Sequence, residues 1–531
     1  MSFISIDFAL FVVAVLLVFY VFPRKYRWMV LLVASYIFYA FTGAGNLLYI
    51  LVTTISTYIC ASFIEKRTAE QKEYLQINKG SLTKEEKKAY KNRIKKKQRI
   101  LLCVGLIINF GLLVYLKYID FAIAYINLFR LSRFGVTDFI PFKNIILPMG
   151  ISFYIFQSMG YLIDIYYGRC ETEKNFFKFA LYVSFFPQIV QGPISRFAEL
   201  APELYKELDY DFFRIKSGFY RVMWGLFKKL VIADRLAAFV ADTMAMQDTY
   251  KGLYILLAVF MYSMQIYGDF SGGIDVAIGV AEMFGVKLHE NFERPFFSKS
   301  IAEYWQRWHI TLGTWFKDYI FYPLSLNKGI IKSGKFVREH INQSIGKRIP
   351  IYIPMFIVWF TTGMWHGSQN KFVVWGLFNF VFIVLGTEFE PVSVRIKERL
   401  KLDESNVFMK FYRVFKTFWL MSFLRIFDIS KDVPSAFKAF RNIFTDWSSF
   451  DITKVYENLF LEQQDFYVVI IAIIIMFAFD LLQRKGSVRE RIFKLPTVLQ
   501  WVILSLLITV VSVFGYYGPG YDAGSFIYGA F

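Results

Sequence analysis

The chain has 531 residues, of which 56% are hydrophobic, 20% aromatic and only 19% charged. A soluble protein of this length would need an unusually large core to bury so much apolar surface, and the apolar residues come in bilayer-spanning runs of roughly 17 to 25. The short alternating strands of a membrane β-barrel are absent. Composition therefore excludes a soluble protein and predicts an all-α polytopic membrane protein.

The formal net charge of +19 does not indicate a nucleic-acid-binding protein, because of where the basic residues lie. About a dozen Lys and Arg fall in 66–99, between two apolar runs. This is typical of a cytoplasmic loop that follows the positive-inside rule, and binding of an anionic lipid or cofactor is the alternative. The three cysteines lie in or beside apolar runs, so no disulfide framework is expected.

Apolar runs recur along the whole chain. The predicted spans are 3–22, 27–42, 46–64, 100–125, 145–167, 176–191, 214–240, 252–284, 351–365, 371–387, 411–427, 466–482 and 497–515. No small-residue cleavage site follows the first, which is interpreted as a permanent helix. Basic residues place 23–27, 66–99 and 484–494 in the cytoplasm, so the N-terminus and the tail from 516 onward are expected outside.

The segment 286–349 does not fit this pattern, because it is both aromatic and charged. Such a segment is tolerated at membrane depth only where it lines a cavity or is buried in protein. No internal repeat is visible, which weakens a transporter interpretation. The chain also has no phosphate-binding loop, no dinucleotide fingerprint and no nucleophile elbow.

Of the four histidines, none pairs with another at metal-ligand spacing, so no metal site is predicted. His366 lies in 363–367 (GMWHG) and His309 in 304–309 (YWQRWH), each beside tryptophan. A lone interfacial histidine is usually only a satisfied polar residue. However, ionisable residues at membrane depth are costly, and indoles could keep an imidazole neutral and ready to accept a proton.

If 303–316 is a single helix, five of its residues share one stripe. They are Trp305, Trp308, His309, Leu312 and Phe316. Helix packing is the alternative explanation of this stripe.

Several motifs resemble the membrane-bound O-acyltransferase family. They are 147–153 (LPMGISF), 161–164 (YLID), 186–194 (FPQIVQGPI), 225–234 (GLFKKLVIAD), 265–272 (QIYGDFSG), 305–323 and 365–367. The match runs on through 423–427 and 433–444, a region that D-alanine-transferring members generally lack. The motifs at 225–234 and 265–272 are similar to the alginate O-acetylation branch. The chain departs from the family pattern at 325–329 (SLNKG) and at 268–273 (GDFSGG).

The resemblance implies a ring of roughly 11–13 transmembrane helices, with re-entrant or interfacial helices, around a central tunnel. It suggests three regions: N-terminal helices and a basic loop at 1–99, a catalytic core at 100–390, and C-terminal helices with an extracellular aromatic tail at 391–531. His366 would be the main catalytic histidine and His309 the second. Predicted substrate-binding residues are Gln188, Asp269, Ser271, Asn291, Trp305, Arg307, Trp308, Asp318 and Trp365.

The basic inner face suits a phosphate-bearing thioester donor such as acetyl-CoA, as a co-substrate and without any further cofactor. Lys228 and Lys229 are predicted to bind this donor, unless they merely snorkel to the interface. His366 would take a proton from a hydroxyl acceptor, while His309 or tryptophan N–H groups orient the donor carbonyl.

The tail 525–531 (SFIYGAF) is similar to the aromatic C-terminal motif of acetylating members. It implies an acyl relay on Tyr528 that hands the group to a secreted or membrane-anchored acetyltransferase acting on a polysaccharide. Packing of the tail on the outer rim is the alternative. Two rival functions remain open: D-alanyl transfer to teichoic acid, and a non-catalytic polysaccharide export or scaffold protein.

Overall fold

The computed structural model describes residues 2–458 and 463–517. Across these residues the chain forms helices, and the single β-type contact among them is an isolated antiparallel bridge between Phe292 and Trp308. The prediction of an all-α protein is confirmed. The described residues divide into two compact units: those up to Gly218 with Val280–His289, and Phe219–Gly279 with the described residues from Glu290 onward.

The first unit contains two long helices and several short ones. They are α1 Ile6–Val21, α2 Arg27–Ala40, α3 Leu47–Ile77, α4 Lys84–Phe134, α5 Ile151–Tyr167, α6 Phe176–Ser184, α7 Phe186–Ile189, α8 Phe197–Leu204 and the first part of α9 Phe212–Leu226. The 51-residue α4 begins at a capping box, in which Thr83 and Glu86 each satisfy a backbone N–H of the other.

The second unit carries the remaining helices, apart from residues 280–283 at the end of α11, which belong to the first unit. They are the π-helix Phe227–Ala233, α10 Asp234–Ala245, α11 Leu253–Met283, α12 Ile301–Arg307, α13 Ile310–Phe316, the π-helix Lys317–Phe321, α14 Tyr322–Ser325, α15 Lys328–His340, α16 Gln343–His366, α17 Asn370–Glu388, α18 Glu390–Arg399, α19 Val407–Leu424, α20 Ile426–Ile429, α21 Val433–Ile443, α22 Ile452–Asn458, α23 Gln463–Gln483, α24 Val488–Ile492 and α25 Thr497–Phe514.

Six helices of the described chain are long and apolar enough to cross a membrane. They are Ala44–Ile77, Lys84–Phe134, Leu253–Met283, Asn370–Glu388, Gln463–Gln483 and Thr497–Phe514. The protein is therefore a multi-pass membrane protein. Several other predicted spans coincide with shorter or interrupted helices: 214–240, for example, is divided by the π-helix Phe227–Ala233. The count of 11–13 spans and the three-region division remain predictions.

The glycine of the motif 147–153 has a clear structural cause within the first unit. Gly150 precedes α5 with a φ of +71°, and a Cβ there would lie 1.9 Å from the carbonyl oxygen of Ile189. Only glycine fits a left-handed residue pressed so closely against another backbone. This contact joins the motif 147–153 to the motif 186–194.

Candidate active site

His309 lies in a left-handed turn between α12 and α13, with a φ of +48°. The backbone beside this turn pairs like a strand, because the N–H of Glu293 donates to the carbonyl of Arg307 over 2.9 Å. The segment 303–316 is therefore not a single helix, and the stripe that depended on that condition is not formed. Histidine adopts this backbone conformation only occasionally, so a helical sequence pattern does not reveal the break.

The side chain of Asn291 determines which nitrogen of His309 carries the proton. The Asn291 Oδ1 accepts hydrogen bonds from the backbone N–H of Thr311 (3.0 Å) and from its hydroxyl (2.9 Å). The His309 Nδ1 lies 3.2 Å from Nδ2 of Asn291 and 3.3 Å from Oδ1. Since Oδ1 is already engaged twice, we infer that Nδ2 donates to Nδ1, which leaves the His309 proton on Nε2.

The imidazole of His309 is only 4% exposed and packs edge-on against Phe270, with ring centroids 4.8 Å apart. The residue lies outside the six candidate spans, and burial lowers the pKa of its imidazole to about 3. Burial acts in this direction because it disfavours the charged form. His309 is thus neutral near pH 7, a better hydrogen-bond donor than general base.

Trp365 contacts both predicted catalytic histidines. Its ring centroid lies 5.0 Å from that of His366 and 5.7 Å from that of His309. His366 is the last residue of α16, is buried, and also packs against Trp375, with ring centroids 4.5 Å apart. The structure therefore brings two histidines that are distant in sequence against one indole.

The setting of His366 depends on a close crossing of α16 and α17. A Cβ on Gly363 would lie 2.5 Å from the carbonyl oxygen of Phe372, and one on Gly376 would lie 2.4 Å from that of Trp359. Side chains at either glycine would force the two helices apart. Because both positions are glycine, Phe372 packs near the imidazole of His366, with ring centroids 6.4 Å apart.

Trp305 belongs to an aromatic cluster around His366 that also contains Trp365, Phe372 and Trp375. Its indole N–H donates to Oδ1 of Asn379 over 3.0 Å, and its ring centroid lies 5.6 Å from that of Trp375. Because Trp375 also contacts His366, Trp305 is one ring removed from the catalytic candidate. The structure thus places Trp305 and Trp365, two of the predicted substrate-binding residues, around His366.

Arg425 is a buried cation that the sequence analysis did not select as a site residue. Its guanidinium carbon lies 4.2 Å from the ring centroid of Trp308, and it donates a hydrogen bond to the hydroxyl of Tyr304. Arg425 is 4% exposed. A buried arginine is costly unless its partners compensate it, so these contacts mark a positioning residue for Trp308 and the adjacent His309. Arg425 lies in the motif 423–427, but this motif does not indicate that Arg425 contacts Trp308 and Tyr304.

Three other predicted residues lie in different surroundings. Arg307 pairs with Glu303 of its own helix over 2.6 Å, and Asp318 is half-buried in the π-helix Lys317–Phe321. Gln188 lies in the first compact unit, where it donates to Oε1 of Gln157 over 2.8 Å. Substrate binding by Arg307, Asp318 and Gln188 stays a prediction.

Lys228 lies in the π-helix Phe227–Ala233, a geometry often found at functional sites. Its Nζ is 2.6 Å from Oδ2 of Asp275 and 2.8 Å from the hydroxyl of Ser271, which itself donates to the carbonyl of Tyr267 over 2.5 Å. The side chain is buried, so it does not snorkel to an interface.

Lys229, in the same π-helix, is enclosed between two carboxylates. Its Nζ lies 2.6 Å from Oδ1 of Asp269 and 2.7 Å from Oδ1 of Asp234, and Lys229 is only 1% exposed. This also excludes snorkelling for Lys229. The arrangement suits charge compensation inside the fold, and donor binding by either lysine stays a prediction.

Two glycines make these lysine contacts possible. A Cβ on Gly225 would lie 2.5 Å from the carbonyl oxygen of Gly272, and one on Gly268 would lie 2.8 Å from that of Lys228. Glycine at 225, near the end of α9, and at 268, on α11, lets α9 and the π-helix approach α11 at backbone distance, as small residues do in membrane helices. One π-helical carbonyl, that of Leu230, accepts from the backbone N–H of Tyr516 over 2.9 Å.

The predicted relay residue Tyr528 lies outside the described residues. Its role therefore remains a prediction from sequence.

Comparison with known proteins gives a consistent assignment. The sequence model of the family described as "MBOAT, membrane-bound O-acyltransferase family" matches residues 171–427, which include both histidines. A protein of Pseudomonas syringae pv. tomato named "Probable alginate O-acetylase" is 32% identical over 71% of this chain and 65% of its own length. A protein of the same name from Azotobacter vinelandii is 29% identical over 82% of this chain and 77% of its own.

A third relative is named for a different polymer. A Helicobacter pylori protein named "Peptidoglycan O-acetyltransferase" is 33% identical over 53% of this chain and 54% of its own length. This chain thus spans just under two-thirds of the Pseudomonas syringae relative and about half of the Helicobacter pylori one. Both indole-linked histidines lie inside the matched region, so residues 171–427 form a domain of the membrane-bound O-acyltransferase family.

Proposed function

We propose that the protein is an O-acyltransferase of a bacterial cytoplasmic membrane. It takes an acetyl group from a cytoplasmic thioester, acetyl-CoA, and delivers it for O-acetylation of an extracellular or cell-wall polysaccharide. The contact of Trp365 with both His309 and His366 carries this proposal. Relatives named for alginate and peptidoglycan O-acetylation support acetyl as the group and a polysaccharide as the final acceptor.

His366 is the proposed general base. It removes the proton of the acceptor hydroxyl as that oxygen forms a bond to the thioester carbonyl carbon. The carbon–sulfur bond then breaks, and the thiolate leaves with the proton returned by His366. His309, neutral and carrying its proton on Nε2, donates to the carbonyl oxygen as negative charge develops there.

The catalytic assignment is tested by His366→Ala, with His340→Ala as matched control because His340 is an exposed histidine. A general base contributes about 10²–10⁴ in rate, so His366→Ala should reduce polymer acetyl content to background while the protein still reaches the membrane. Wild-type acetylation by His366→Ala would refute the assignment and favour a non-catalytic scaffold.

The donor is tested with inverted membrane vesicles supplied with radiolabelled acetyl-CoA. Labelled acetyl should reach the polymer only in vesicles with functional His366. Incorporation of carrier-bound D-alanine in place of acetyl would identify the protein as a D-alanyl transferase.

The direction of transfer is tested by cysteine labelling of intact cells. A cysteine introduced in 66–99 should be protected, since this basic segment is assigned to the cytoplasm. Labelling from outside would reverse the proposed topology.

The relay is tested by Tyr528→Phe, which keeps the ring and removes only the hydroxyl. A phenol has a pKa near 10, so Tyr528 would need a base such as His366 to accept the acetyl group at neutral pH. We expect Tyr528→Phe to stop acetylation as fully as His366→Ala. Near-normal acetylation would indicate that the tail only packs, and that an acceptor hydroxyl other than Tyr528 is used.

A further inference from the structure

The second unit contains a cavity of about 610 Å³, a size typical of ligand sites. Its apolar walls come from α23 and α25, through residues such as Ile475, Phe479, Leu506 and Leu507. Neither His309 nor His366 lines it. The cavity is therefore distinct from the aromatic cluster around the histidines.

The cavity is accessible from the lipid-facing side of two membrane helices. Both α23 and α25 qualify as membrane spans, and their cavity-lining residues Ile475 and Leu506 are 45% and 62% exposed. Such surfaces of membrane-spanning helices face hydrocarbon chains. An apolar chain could therefore enter between α23 and α25 without crossing water.

The opposite wall of the cavity is ionic and internally balanced. Arg221 contacts Glu290 over 2.5 Å and Asp275 over 2.9 Å, and Lys228 also pairs with Asp275. Each of these two cations is thus compensated by a carboxylate, leaving no excess positive charge at this wall.

The remaining charged lining residues are two cations and two carboxylates. Arg294 lies 3.3 Å from Glu293. Asp480 accepts a hydrogen bond from the hydroxyl of Tyr267 over 2.9 Å, and Arg489 lies in α24. The described lining thus holds four basic and four acidic side chains, so it offers no net positive field to a polyanion. A headgroup that carries both an ammonium and a phosphate would find partners of both signs.

We propose that this cavity binds one zwitterionic phospholipid, with an acyl chain between α23 and α25 and its headgroup at the ionic wall. The site does not include His309 or His366, and its occupancy is measured without reference to acetylation.

The test is native mass spectrometry of the purified full chain, titrated in mixed micelles with phosphatidylethanolamine or phosphatidylglycerol. We expect one phosphatidylethanolamine to remain bound, with at least about fivefold preference over phosphatidylglycerol. Equal or stronger retention of phosphatidylglycerol, or retention of neither lipid, would overturn the proposal.

Leu507→Trp fills the cavity and should abolish retention. Val502→Trp is the matched control, because Val502 lies on the same helix, is exposed and does not line the cavity. Should Leu507→Trp fold poorly, Ile475→Trp on α23 fills the same space from the other wall. Retention by a folded cavity-filling variant at the wild-type level would contradict the site.

Phosphatidylethanolamine should also raise the melting temperature of the wild type and of Val502→Trp, but not that of Leu507→Trp. A lipid effect on all three proteins alike would show general micelle stabilisation and refute specific binding.

Discussion

The Nδ2 of Asn291 lies 3.2 Å from Nδ1 of His309, and from this contact we infer that the imidazole carries its proton on Nε2. Asn291→Asp would place a carboxylate there, which accepts from Nδ1 and moves the proton away from Nε2. Loss of a carbonyl-orienting donor costs about 10²–10³ in kcat, and we expect a fall of this size with little change in KM.

Thr311→Val is the control for this change. It removes the hydroxyl that bonds to Asn291 but keeps the backbone N–H and the contact between Asn291 and His309. Its kcat should stay within a few-fold of the wild type, which steady-state kinetics in vesicles can measure. A wild-type kcat for Asn291→Asp would disprove the assigned tautomer.

The low pKa of His309, about 3, predicts a specific acid sensitivity of the fold. An unfolded histidine titrates near 6.5, so the unfolded chain binds a proton that the folded chain excludes. Stability from this group is complete above pH 6.5 and declines as pH falls towards 3, by up to about 1.4 kcal/mol per pH unit.

His309→Gln should therefore reduce the drop in melting temperature between pH 7 and pH 5. His340→Gln, at an exposed histidine, should leave that drop unchanged. An equal pH dependence for His309→Gln and the wild type would show that His309 is not buried in its neutral form.

Gly272→Ala should destabilise the protein through overpacking. A Cβ on Gly272 would lie 2.7 Å from the carbonyl oxygen of Gly225, and such crowding of a packed interior costs about 1–3 kcal/mol or more. Gly386→Ala is the matched control, because nothing lies within 4 Å of its Cβ position. Fluorescence-detected thermal melting should separate the two variants, and an unchanged melting temperature for Gly272→Ala would contradict the close crossing.

Substitution of Arg425 should lower kcat more than it changes KM, because Arg425 holds Trp308 beside His309. Arg425→Lys keeps the charge but loses the planar face that stacks on the indole, so it should also lower kcat. Tyr304→Phe removes only the hydroxyl that Arg425 contacts and should have a smaller effect. Full activity of Arg425→Lys would show that charge alone suffices.

Lys229→Met should be strongly destabilising because it leaves Asp234 and Asp269 buried without their cation. Breaking a buried ion pair from one side costs about 3–5 kcal/mol. Adding Asp269→Asn to Lys229→Met should partly restore the amount of folded, membrane-inserted protein. Size-exclusion profiles of the purified variants measure this amount. A folded Lys229→Met variant with impaired donor affinity would instead support the donor-binding role predicted from sequence.

Much of the local structure around the site could be predicted from sequence. Long apolar runs gave the membrane helices, and the tryptophan-flanked histidines directed attention to His309 and His366. The break at His309 could not be predicted, because its left-handed φ is stabilised by Asn291 and by pairing with Glu293, which precede α12. Local helical preference is a weak guide where such tertiary contacts decide.

The residues with which the buried cations pair could not be predicted from sequence either. Lys228 and Lys229 resemble juxtamembrane lysines when the apolar run 214–240 is considered alone, yet they pair with Asp275 and Asp269 of α11. Arg425 likewise finds its aromatic partners more than a hundred positions earlier in the chain. Periodicity within one segment carries no information about which other segment it faces.

The π-helix Phe227–Ala233 has a consequence for how the chain can vary. Each helical residue advances the direction of its side chain by about 100°, so deleting one residue here would turn every later position of α10 relative to α11. The carbonyl of Leu230 would then no longer meet the backbone N–H of Tyr516. The number of residues in this segment is thus constrained more tightly than their identities, and a single-codon deletion should be more damaging than most substitutions in it.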